Sequence, residues 1–105
     1  MKKIIDGLRY DTDNAIEIGY YSTGGSTSDF THWEASLYKT PRSGKFFVAG
    51  EGGPMTQFAS RGSQEGIGYG EKLSPMSREE ALSWAEQYLN AEVIEKHFGD
   101  SIQDA

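Results

Sequence analysis

The sequence predicts an α+β fold: an antiparallel sheet of about four to five short strands packed against a C-terminal helical segment, one longer helix and one short one. Three observations carry this expectation. Residues 15–49 alternate apolar and polar side chains with the period of half-buried strands. The 13 glycines among 105 residues supply many turns and confine helix to one stretch. After Ser77 the apolar period changes to that of a helix. The length fits a single domain, 1–105.

The elements follow in chain order. Lys3-Ile4-Ile5 and Leu8-Arg9-Tyr10 flank Asp6-Gly7, two residues that tolerate positive φ, so a hairpin is expected there. Asp11 to Asn14 reads as a turn or a short helical start. From Ala15 to Ser22, Ile16, Ile18 and Tyr20 alternate with Glu17, Gly19 and Tyr21, which predicts a strand. Thr23 to Asp29 is a polar loop. In a second strand, Thr31 to Thr40, Trp33, Ala35 and Leu37 share one face, and His32, Glu34, Ser36 and Tyr38 the other. Thr40-Pro41-Arg42-Ser43-Gly44 is a turn, and Lys45 to Ala49 returns as the partner strand. Gly50 to Pro54 is expected to end that strand. Met55 to Ser60 suits one helical turn with Met55, Phe58 and Ala59 inward, Arg61 to Gly70 a glycine-rich loop, and Gly70 to Leu73 a last short strand.

The C-terminal segment has the clearest signals. Ser77 with Glu80 forms a capping box, and Ala81, Trp84, Ala85, Tyr88 and Leu89 then recur on one helical face. Asn90 can cap a second helix, Ala91 to Phe98, closed by Gly99 as a C-cap. Trp84 and Leu89 are expected to pack on the sheet near Trp33 or Phe47.

Composition excludes several functions. There is no cysteine, so disulfides and thiolate metal sites are out and a cytoplasmic location is expected. No apolar run approaches a membrane span, and Lys2-Lys3 are not followed by the apolar stretch of a secretory signal. The net charge of −6 disfavours direct contact with nucleic acid. The charge is uneven: residues 1–75 hold nine acids and eight bases, whereas residues 76–105 hold seven acids and two bases.

No catalytic signature stands out. His32 and His97 lack a metal-type partner at local spacing, and His97 suits a favourable interaction with a helix C-terminus when charged. No Gly-x-Ser-x-Gly elbow supports a triad. Gly50-Glu51-Gly52-Gly53 lacks the Lys-Ser/Thr ending of a phosphate loop, and Gly66 to Gly70 lacks dinucleotide spacing. No cofactor or metal is implied. The partner-binding candidates are the acids of the helical segment: Glu79, Glu80, Glu86, Glu92 and Glu95. Glu79 and Glu86 share one helix face, and Glu92 and Glu95 another.

Three stretches carry a resemblance: Lys3 to Thr12, Phe47 to Met55, and Ser77 to Ala85. In them the chain resembles a group of small uncharacterised bacterial proteins carried on phages and other mobile elements. The resemblance implies a shared fold and no chemistry. In size and acidity the chain is similar in type to anti-CRISPR proteins.

The expected function is therefore a small, acidic, non-enzymatic interaction module. It would be an inhibitor of anti-CRISPR type that covers a basic surface of a protein or ribonucleoprotein complex. About five acids along roughly 30 Å of helix give one charge per ~6 Å, sparse beside ~1.7 Å for duplex DNA. Two alternatives stand: a ligand-binding or enzymatic domain using Glu51 and an aromatic such as Tyr69 at the glycine-rich loops, and a homo-oligomer subunit joined through a sheet edge.

Overall fold

A computed structural model describes residues 1–26, 29–63 and 66–105, with the side chains of 61–67 left aside. Among the described residues, eight strands and two helices follow one another: β1 (Lys2–Ile5), β2 (Leu8–Asp11), β3 (Ile16–Ser22), β4 (Trp33–Lys39), β5 (Phe46–Gly52), β6 (Ser60–Ser63), β7 (Gly66–Gly68), β8 (Gly70–Met76), α1 (Arg78–Tyr88) and α2 (Ala91–Phe98). A 3-10 turn, Gly99–Ser101, ends the ordered elements. The main sheet has the order β3-β4-β5-β8 and is antiparallel throughout. The α+β expectation holds: an antiparallel sheet backs onto a helical C-terminus.

The two faces of this sheet are covered differently. On one face lie the helices. Leu37, Phe46 and Val48 from the sheet meet Ala81, Ala85 and Phe98, with Trp33, Trp84 and Leu89 packed at the margin. Phe46 stacks on Phe98 at 5.3 Å, and Tyr88 joins Trp33 to Trp84 with centroid distances of 5.1 and 4.9 Å. On the other face, the β1-β2 hairpin covers Phe47, Ala49 and Leu73 with Tyr10 and Ile5. Its turn is the expected one, with positive φ at Asp6 (53°) and Gly7 (78°). Tyr10 meets Phe47 edge-on at 5.4 Å. Trp84 and Leu89 thus pack on the Trp33 side, whereas Phe47 lies across the sheet from them.

Several sequence expectations need correction. The alternation of Ile16, Ile18 and Tyr20 breaks at a bulge between Glu17 and Gly19. The bulge turns Ile18 into the helical core and sends Tyr20 to the opposite, exposed face. Strand β5 does not stop at Gly50 but pairs on both sides through Gly52, which places Glu51 inside the sheet. Residues 55–60 form no helical turn; Met55 is 72% exposed while Phe58 is buried. The expected loop from Arg61 to Gly70 contains the paired strands β6 and β7, with residues 64 and 65 outside the described residues. The Thr23 to Asp29 loop is irregular where described, and residues 27 and 28 lie outside. Gly99 is right-handed (φ −52°) and leads into the 3-10 turn, so it is no left-handed C-cap.

Both helix starts behave as their sequences dictate. Ser77 accepts from the Glu80 amide at 3.1 Å while Glu80 accepts from the Ser77 amide at 3.0 Å. Asn90 accepts from Val93 N at 3.0 Å. Between the helices, Leu89 and Asn90 are both extended, which bends the chain and lays Leu89 against β3. A Cβ on Gly19 would stand 2.7 Å from both Leu89 methyl carbons, so the glycine makes room for this contact. Among the described residues no helix is long and apolar enough to cross a membrane.

Candidate functional site

The register of the sheet assembles a carboxylate row that chain order conceals. Glu34 in β4 stands opposite Glu51 in β5, and Glu51 stands opposite Glu71 in β8. Ala35 and Val48 face the helical core, so by strand alternation the three glutamates face away from the helices. Adjacent strands lie about 4.8 Å apart, which brings three carboxylates within roughly 10 Å. Like charges directly opposite one another destabilise a sheet. Among the described residues no lysine or arginine forms an ion pair with any of them; the sole contact of that kind is His32 Nε2 to Glu34 Oε2 at 3.5 Å.

Three side chains flank this row. The Tyr20 hydroxyl, turned outward by the β3 bulge, donates to Glu34 Oε2 at 3.0 Å. Tyr69 lies beside Glu51. His32 is buried (4% exposed), and its Nδ1 donates to the Gly24 carbonyl oxygen at 2.8 Å. That bond fixes the ring and leaves Nε2 aimed at Glu34 without a hydrogen-bond partner.

The electrostatics separate the two central carboxyl groups. The Tyr20 hydroxyl, followed by a hydrogen bond from Glu51, holds Glu34 below its ordinary range. Burial, followed by the hydrogen bond and charge of Glu34 and the charge of Glu71, pushes Glu51 up. The Tyr20 hydroxyl is raised chiefly by its bond to Glu34, and Tyr69 by desolvation and then by Glu51.

The surroundings have the character of a contact surface. A cavity of about 200 Å³, bounded by Met1, Thr12, Tyr20, Glu34, Tyr38 and Glu51, lies beside the row. That is below the ~300–1,000 Å³ of small-molecule pockets and suits a single side chain. Tyr20 (54%) and Tyr69 (41%) are exposed at the row, and Phe30 (63%) and Met55 (72%) at the same end of the sheet. Met55 N donates to the Phe30 carbonyl at 3.0 Å, which sets these two apolar residues together.

Sequence reasoning reached part of this site. Glu51 and Tyr69, weighed together as an alternative, do meet. Glu34, Glu71 and Tyr20 were missed as site residues. A signal existed for Glu34: it stands eight residues before Arg42, and Glu51 eight after Ser43, so a hairpin centred on that turn must pair them.

The helical acids are placed otherwise. Glu79, Glu80, Glu86, Glu92 and Glu95 are all exposed. Glu79 and Glu80 lie in the first turn of α1 and Glu92 in that of α2, where carboxylates offset the helix dipole. Glu80 is also engaged in the capping box, which lowers its pKa. Glu86 and Glu95 belong to different helices separated by the extended pair Leu89-Asn90. His97 does lie in the last turn of α2, but burial and then Lys96 and Lys39 lower its pKa, which disfavours the charged form.

Among the described residues no group of three His, Cys, Asp or Glu is arranged to hold a metal ion. No family model matches the chain, and comparison with curated proteins and with solved structures gives no match.

Proposed function

We propose that this chain is a non-catalytic interaction module for a basic protein surface, and that it binds through the Glu34-Glu51-Glu71 row and the exposed side chains around it. The observation that carries the reading is three mutually repelling carboxylates at one register level with no lysine or arginine partner among the described residues. A partner's guanidinium or ammonium group would relieve the repulsion. Tyr20, Tyr69, Phe30 and Met55 supply the aromatic and apolar contact that interfaces favour. At ~4.8 Å per charge the row is denser than the helical acids. The same chemistry suits an inhibitor, of anti-CRISPR type, that covers a nucleic-acid groove of a larger complex.

A second reading rests on the opposed shifts of Glu34 and Glu51, which resemble an acid–base carboxyl pair. The small cavity beside them supports side-chain recognition better than turnover of a substrate.

The test is binding of an arginine-rich peptide at low salt. Replacing Glu34, Glu51 and Glu71 together by Gln should weaken it by about tenfold or more. Reversing Glu79, Glu86, Glu92 and Glu95 to Lys should cost much less. The opposite ranking would return the site to the helical face, and equal small losses would show only diffuse attraction.

A further inference from the structure

We propose that the cleft between the N-terminal hairpin and the β4-β5 turn binds a small phosphate-bearing molecule. This site is separate from the carboxylate row, at the opposite end of β4 and β5. Its cavity of about 500 Å³ falls in the range of small-ligand pockets. Arg9 from β2 and Arg42 and Lys45 from the turn line it.

Charge makes the cleft unusual. The chain carries a net −6, yet three of the eleven residues that line the cleft are Arg9, Arg42 and Lys45, none in an ion pair among the described residues. The one carboxylate in the lining, Asp11, is occupied by its own turn. Its Oδ1 accepts from Asp13 N at 3.0 Å and its Oδ2 from Asn14 Nδ2 at 2.9 Å. Arg9 and Arg42 reach the cleft from separate segments, and a guanidinium offers paired N–H donors to an oxyanion.

The turn that forms one wall is closed by its own hydrogen bonds. Thr40 N donates to the Lys45 carbonyl at 2.8 Å, and Lys45 N donates to Thr40 Oγ1 at 2.9 Å. Gly44 N donates to the Thr40 carbonyl at 3.2 Å from a left-handed conformation (φ 64°). A turn closed in this way spends little ordering entropy on binding. Leu8 and Pro41, both exposed, form an apolar lip. They would contact the organic part of a phosphate ester, which separates this ligand from inorganic phosphate.

The experiment is calorimetric titration of the whole chain at low salt with adenosine monophosphate, pyrophosphate and inorganic phosphate. Saturable binding is expected, with the nucleotide tighter than inorganic phosphate. Arg9→Gln with Arg42→Gln should lower nucleotide affinity at least about tenfold. Circular dichroism should show the double variant folded, because both arginines are exposed. No saturable binding by any probe at about 10 mM, or nucleotide binding that the double substitution leaves unchanged, would overturn the proposal. Equal affinity for nucleotide and inorganic phosphate would overturn the role given to Leu8 and Pro41.

Discussion

Glu51→Gln should make this protein more stable at pH 8. Glu51 is the middle member of the row and stands directly opposite two other glutamates. Each like-charge cross-strand pair is unfavourable by about 0.2–1 kcal/mol, so removing two of them gains roughly 0.4–2 kcal/mol. Salt screens exposed charges and moves the value toward the lower end. Gln keeps the shape of the side chain and removes its charge. The sign with pH follows from the raised pKa of Glu51. A carboxyl group raised on folding contributes stability that is fully present below its unfolded pKa, near the ordinary 4.5, and lost as pH rises through the folded value. The gain from Glu51→Gln should therefore shrink toward zero as pH falls below that ordinary range. Urea unfolding of both proteins at pH 8 and pH 4, at low and high salt, measures it. A Glu51→Gln protein that is less stable at pH 8 would show that the carboxylate supports the fold, and the repulsion argument would fail.

Other outcomes follow from the packing. Glu34→Gln should lose stability above pH 4.5, because the lowered pKa of Glu34 contributes stability that is present there and lost as pH falls through its folded value; unfolding midpoints against pH check the sign. Phe98 is fully buried between Phe46 and the Arg78 guanidinium, so Phe98→Ala should cost about 3–5 kcal/mol in urea unfolding. Gly19→Ala should cost about 1–3 kcal/mol by displacing Leu89, and adding Leu89→Ala should cost less than the two changes summed. Ser77→Ala removes the capping box and should cost about 0.5–2 kcal/mol, visible in helical circular dichroism.

The sequence reveals this fold where short-range rules act alone. Asp6-Gly7, the turn from Thr40 to Gly44, the Ser77-Glu80 box and Asn90 each determine backbone within a few residues, and all four stand as expected. It reveals less where tertiary pairing overrides local habit. Gly50 to Gly52 reads as a strand terminus, yet β4 and β8 hold it from both sides. The β3 bulge shifts Tyr20 by one face, which no alternation pattern foretells. The site depends on both effects. Glu34 and Glu51 are related by hairpin arithmetic, but Glu71 and Tyr69 reach them only because β8 returns beside β5 after residues 53–69. Charge counting weighs how many carboxylates a segment holds, as in the helical acids, and does not tell which carboxylates face one another.

The central claim is tested most directly by nuclear magnetic resonance mapping of an arginine-rich peptide on the isotopically labelled chain. The account predicts saturable shifts centred on Tyr20, Glu34, Glu51, Tyr69 and Glu71, extending to Phe30 and Met55 and lost when the three glutamates become glutamines. Shifts centred instead on Glu79, Glu86, Glu92 and Glu95, with the sheet residues unmoved, would contradict it.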